Sequence, residues 1–162
     1  MRPATANDLP FLRQVCYEAA FWNLDGERPD FDTALADPQI GHYVDGFRRP
    51  GDFGLIAETE DREPLGAAWF RFFTEEQPAY GFVAGDVPEI TIAVIPAWRG
   101  QGLGRRLLEE LLSCAHEAGL GRVSLSVSRD NPALRLYRRL GFVRVSSEGG
   151  SDTMVVNLSA TI

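Results

Sequence analysis

The stretch PAWRGQGLGRRLLEELL, residues 96–112, decides how this chain reads. Three glycines, at 100, 102 and 104, stand directly ahead of a leucine-rich run. Glycine is among the poorest helix formers, so crowding it against a helix start gives up stability. What the backbone gains there is open room around its first N–H groups.

A β-prone run, EITIAVI (Glu89–Ile95), precedes the glycines, and a helix predicted to reach about Ala118 and stop at Gly119 follows them. A strand, a glycine-rich turn and a helix N-terminus together make an anion site. The first helical N–H groups have no intrahelical acceptor, and the macrodipole adds positive potential. Arg105 and Arg106 oppose that dipole, which an incoming polyanion explains better than helix stability does. Glu109 and Glu110 at i+4 offer a purely structural alternative. The spacing is R-x-x-G-x-G over Arg99, Gly102 and Gly104, and it matches neither G-x-x-x-x-G-K-[ST] nor G-x-G-x-x-G.

Composition narrows the class. The chain has 162 residues, enough for one domain, 1–162, with a substantial core. It is 44% hydrophobic and 24% charged, as ordinary globular proteins are. No apolar run approaches the roughly 20 residues of a membrane span, and MRPATANDLP lacks a signal-peptide core. These features predict a cytoplasmic protein without a membrane partner. Cys16 and Cys114 read as buried thiols in a reducing compartment, and the isolated His42 and His116 argue against a metal site. A net charge of −7 disfavours nucleic acid. The charge is uneven: residues 1–98 hold 17 acids and 7 arginines, whereas 99–162 hold 6 acids and 9 arginines, and lysine is absent. The two halves then suit ligands of opposite sign, or are simply two solvated surfaces.

Periodicity and turn residues set the rest. A first strand is expected near Arg2–Thr5, then a helix capped by Asn7 or Asp8 and running to about Phe21. Residues 23–38 read as loop with a short helical piece, and Ile40–Phe47 as another turn or two of helix. FGLIAETE and LGAAWFRFF form a hairpin over DREP, and RVSLSV (Arg122–Val127) a strand. Asn131–Leu140 reads as a helix, and FVRVSS with TMVVNLS as a closing hairpin around Glu148–Gly150. The predicted class is α/β (α+β): a mixed, mainly antiparallel sheet of about six to seven strands flanked by about four helices.

With these residues in place, ITIAVIPAWRGQGLGRRLL followed by DNPALRLYRRLGF resembles the GNAT superfamily of acyl-CoA-dependent N-acetyltransferases. The opening RPATANDLPFL resembles that family's first strand and helix, so the likeness runs through nearly the whole chain. It implies splayed central strands, with pantetheine lying beside the strand before the loop like an added strand. Ile92, Ala93 and Val94 would offer it backbone groups. Arg99, Gly100, Gln101, Gly102, Leu103, Gly104 and Arg105 would wrap the pyrophosphate, with Asn131 a further contact. Many members carry one more residue between this asparagine and the tyrosine that follows.

The resemblance implies that Tyr137 protonates the departing thiolate, a task suited to a phenol of pKa about 10. The shared helical face of Ala133, Leu136, Tyr137 and Leu140 also fits a core tyrosine. A lysine-like amine is mostly protonated at pH 7, a handicap of roughly 4–5 kcal/mol. In the family a carboxylate at the head of the fourth strand relieves it. Glu89 stands in that place, where partial burial raises a carboxyl pKa, and it equally reads as a solvated strand-end acid. Glu75, Glu76 and Asp86 are reserve candidates. The acidic, aromatic FWNLDGERPDF (Phe21–Phe31) and the loop around Tyr80 fall where the family builds its acceptor site, which favours a cationic amine.

The implied activity is acetyl transfer from acetyl-CoA, as co-substrate without a metal, to a primary amine by direct attack. No serine or cysteine is placed as a covalent relay. The rival is a non-catalytic acyl-CoA-binding module of the same fold. Either reading accommodates a homodimer.

Overall fold

The computed structural model describes residues 1–158, so Ser159, the last residue of the expected closing strand, lies outside the described part. Seven strands are hydrogen-bonded in the order β1-β2-β3-β4-β5-β7-β6, and five helices join them. The strands are β1 (Arg2–Pro3), β2 (Phe53–Glu58), β3 (Pro64–Arg71), β4 (Glu89–Val94), β5 (Arg122–Ser128), β6 (Val143–Glu148) and β7 (Ser151–Asn157). The helices are α1 (Leu9–Ala20), α2 (Phe31–Ala36), α3 (Pro38–Gly41), α4 (Leu103–Glu117) and α5 (Ala133–Arg139). This is a mixed α/β fold with a mainly antiparallel sheet. No described helix is long and apolar enough to cross a membrane.

The chain divides into two compact units, Met1–Phe70 with Thr91–Leu111, and Arg71–Ile90 with Leu112–Ile162. In the first, β2 pairs antiparallel with β1 (Arg2 opposite Ile56) and with β3 (Leu55 opposite Ala68). Both faces of β2 and β3 are covered, so they read as continuous apolar runs rather than as alternation. Leu12, Val15 and Cys16 of α1 pack with Leu35, Val44, Phe47, Ile56 and Trp69. Trp69 enters that core whole, because its Nε1 donates to Tyr43 O at 2.8 Å.

Between α1 and β2 the helical pieces differ in part from expectation. Asp30 and Asp37 each accept from a backbone N–H, Thr33 and Gln39 respectively, and so start α2 and α3. α2 is the short helical piece expected within residues 23–38, and α3 is the one that departs from expectation. The piece expected over Ile40–Phe47 instead begins at Pro38 and ends at Gly41. A 3₁₀ turn capped by Thr5 precedes α1, and Asp8 completes the capping box from its third position.

In the second unit β5 runs antiparallel to β7 (Leu125 opposite Met154), and β6 pairs with the other edge of β7. β4 joins β5 in parallel register at Glu89 opposite Ser124. Cys16 is buried as expected, but Cys114 is only half-buried, and neither forms a disulfide.

Candidate active site

In the first unit β4 passes through a 3₁₀ turn (Pro96–Trp98) into the glycine loop and α4. Gly100 and Gly102 adopt φ of +78° and +82°, the left-handed region that side chains resist. A Cβ on either would meet nothing within 4 Å, and one on Gly104 only Val94 Cγ2 at 3.8 Å. The loop backbone is thus held in a glycine conformation with clear space in front of it. Arg106 N donates to Gly102 O at 3.2 Å, closing the first turn of α4. The N–H groups of Leu103, Gly104 and Arg105 precede it, where helix geometry supplies no acceptor. These are the donors an oxyanion needs. Gln101 is exposed and Leu103 half-buried; Ile92 and Ala93 are half-buried and Val94 is buried.

The two arginines of the loop do different work. Arg105 is exposed and pairs with Glu109 at 2.8 Å, a surface contact worth at most about 1 kcal/mol. Breaking that contact costs little. Arg99 is committed inward: Nε donates to Val94 O (3.2 Å), one terminal nitrogen to Trp22 O (2.8 Å) and the other to Glu18 Oε2 (3.0 Å). Glu18 is buried and also accepts from Arg28 with both oxygens at 2.8 Å. Arg28 in turn lies over the Tyr17 ring, 5.2 Å from its centre. One carboxylate thus ties the end of α1 and the following loop to the start of the glycine loop through charge-assisted bonds. The side-chain charge of Arg99 organises this strut, while its backbone opens the loop.

Glu18 and Arg28 were not singled out from sequence. The signal present was an acid three residues after Val15, on the inward side of α1. In the stretch Phe21–Phe31, expected to face the acceptor, Asp25 and Glu27 are exposed, Asp30 is spent on capping α2, and Arg28 on Glu18.

The second unit carries Glu89, Asn131 and Tyr137. Glu89 is 2% exposed, more deeply buried than a strand-end acid at a solvated mouth would be. The segment before β4 lies over it. An added Cβ on Gly81 would come within 2.9 Å of Glu89 Oε1, 2.8 Å of Leu125 C and 2.9 Å of Ser126 N. Ser124 Oγ donates to Gly81 O (2.8 Å), and Ser124 N to Pro88 O (3.0 Å). Gly81 is therefore required by close approach, a second feature missed in sequence. The reserve acids Glu75, Glu76 and Asp86 are exposed.

Asn131 Oδ1 accepts from Ala133 N at 3.0 Å and so caps α5, the helix that carries Tyr137. Tyr137 is buried, its ring 5.9 Å from that of Phe142. Leu134 is the other buried residue of α5; Ala133, Leu136 and Leu140 are half-buried. Burial pushes the Tyr137 phenol up to about 12 by disfavouring its anion. At ordinary pH the phenol therefore keeps its proton. Among the described residues no group of three or more His, Cys, Asp and Glu side chains could hold a metal ion.

A family model described as the acetyltransferase (GNAT) family matches residues 14–142. The N-alpha-acetyltransferase RimI of Mycobacterium tuberculosis is 55% identical over 56 residues, 34% of this chain and 34% of that protein. A mycothiol acetyltransferase of Catenulispora acidiphila is 44% identical over 75 residues, 45% of this chain and 23% of that protein. The chain thus spans about a third or less of these curated relatives. Among solved structures, the ribosomal-protein-alanine N-acetyltransferase of Brucella melitensis superposes with a TM-score of 0.66 at 26% identity, covering 96% of this chain and 98% of that one. Glycine loop, capped tyrosine helix and family match converge: the chain belongs to the acetyltransferase (GNAT) family.

Proposed function

We propose that this protein transfers an acetyl group from acetyl-CoA to a primary amine, preferentially a cationic one, by direct attack. The observation that carries the reading is the open glycine loop at the start of α4, where Gly100 and Gly102 hold positive φ with no atom in front of them. Its oriented N–H groups fit a pyrophosphate, and Arg105 and Arg106 add the charge. The backbone of Ile92–Val94 suits an extended pantetheine chain, and Asn131 caps the helix that presents the acid. We take residues 1–162 as one domain, a reading supported by a family match running from 14 to 142 through segments of both units.

In this mechanism Glu89 accepts a proton from the acceptor ammonium, freeing the nitrogen lone pair. The nitrogen bonds to the acetyl carbon, the C–S bond breaks and Tyr137 gives its proton to the departing thiolate, and the second proton that the nitrogen sheds in becoming an amide restores the phenol. A phenol held at about 12 stays protonated throughout the working pH range, as this step requires. The acceptor class is supported by the acidic excess of residues 1–98 and by relatives named for N-alpha and alanine N-acetylation.

The donor half is tested by calorimetric titration with acetyl-CoA. Gly102→Val places a β-branched side chain at φ +82°, straining the loop by about 1–2 kcal/mol and filling the anion's space. At least a tenfold loss of affinity is expected, from about 1.4 kcal/mol or more of lost binding. Unchanged affinity would remove the loop from the donor site.

A further inference from the structure

Four charged residues are buried among the described residues: Glu18, Arg71, Glu89 and Asp152. Glu18 meets Arg28 and Arg99, and Asp152 meets Arg129 at 3.2 Å. Arg71, the last residue of β3, is 1% exposed, and a guanidinium that deep requires an anion. The register between β3 and β4 says which. Ile95 N donates to Leu65 O at 2.8 Å, and a Cβ on Gly66 would sit 3.2 Å from Val94 Cα. Continuing that antiparallel count along both strands brings Arg71 opposite Glu89. Directly opposed residues project to the same face with Cβ atoms about 4.5–5.5 Å apart.

We propose that Arg71 pairs with Glu89 across β3 and β4 and is the positioning residue for that carboxylate, an inference that rests on Glu89 being the proton acceptor. β5 places Ser124 opposite Glu89, the segment before β4 brings the backbone of Gly81 against its Oε1, and the β3 register brings Arg71. Arg71 is the charged group among them. It keeps Glu89 ionised where burial alone would neutralise it, so the carboxylate is ready to take the acceptor's proton. Proton uptake leaves a neutral acid beside a cation, which drives the proton onward before the next turnover.

Two measurements test this. The first is a thermal-denaturation cycle on the free protein with Arg71→Met, Glu89→Gln and the double variant. Pairing predicts that each single change lowers Tm strongly and that the double variant melts no lower than the worse single. Additive losses would overturn the pair. Should Arg71→Met not fold, rescue by adding Glu89→Gln supports pairing, and no rescue overturns it. The second is the pH dependence of kcat/KM with acetyl-CoA and a cationic peptide carrying an N-terminal alanine. Arg71→Met should raise the acidic limb by at least about one pH unit, Arg71→Lys should hold it near the wild-type position, and Glu89→Gln should abolish it. If Glu89→Gln retains the limb, Glu89 is not the base and the thermal cycle alone judges the pair. If Glu89→Gln loses the limb but Arg71→Met leaves it in place, the base stands and the positioning role falls.

Discussion

Tyr137→Phe is expected to lower kcat about a hundredfold, the usual scale of a general acid's contribution, with acetyl-CoA affinity kept within roughly threefold. The substitution removes one oxygen and keeps the ring that packs 5.9 Å from Phe142, so α5 and its Asn131 cap stay in place. The lost oxygen is the one proposed to protonate the thiolate, a step without which the C–S bond breaks towards an unstabilised anion. The pH profile separates this role from a packing role. Burial holds the phenol at about 12, so Tyr137 keeps its proton below that pH and loses it only as pH rises through about 12. No alkaline limb below about pH 10 should therefore belong to Tyr137, and any limb seen there in the wild type should persist unchanged in the variant. Steady-state thiol release and calorimetric binding supply both readouts. A variant with wild-type kcat, or one whose whole loss lies in donor affinity, would remove Tyr137 from the chemistry.

Gly81→Ala is expected to destabilise the protein by about 2–3 kcal/mol, as overpacking against an unyielding neighbour does, and to cut kcat at least about tenfold. Two of the three atoms its methyl would meet are backbone of β5, Leu125 C at 2.8 Å and Ser126 N at 2.9 Å. β5 is fixed on its other side by a seven-residue register with β7, so it cannot give way. The strain falls instead on the segment before β4 and on Glu89, whose Oε1 is the third atom, at 2.9 Å. Stability and turnover fall together because one contact serves both. Urea unfolding with kinetics on the folded fraction checks the pair of effects. An unchanged unfolding midpoint would show that this close approach does not exist in solution.

These two positions also mark what the sequence reveals and what it hides. The glycine loop and Tyr137 are legible because their signals are local: a strand, a turn and a helix start follow one another within twenty-odd residues, and "LY…LGF" runs from α5 straight into the turn that ends it. The β-prone runs likewise located β2 to β7, since few other conformations suit them. Within residues 23–47 a short helical piece is legible and is α2, but the bounds of α3 are not, because so short a helix lies below the length at which helical periodicity shows. Long-range partners were the other gap. Glu18 and Arg99 are 81 residues apart, so the strut they form cannot be read from spacing. Arg71 gave a faint sign, a lone cation inside AAWFRFF, whose burial became clear only in three dimensions. In sequence Gly81 is one loop glycine among several, because the β5 backbone that leaves no room for a Cβ there is more than forty residues away.

Acetyl transfer from acetyl-CoA to a cationic amine is best tested by product formation. Free-thiol release from acetyl-CoA is followed against a matched panel: spermidine, an aminoglycoside, a basic peptide with N-terminal alanine, and acidic amino acids, with products confirmed by mass. Amine-dependent thiol release, an N-acetylated product, and a kcat/KM higher for the cationic acceptors than for the acidic ones are expected. No turnover with any amine, or faster acetylation of the acidic acceptors, would contradict that activity.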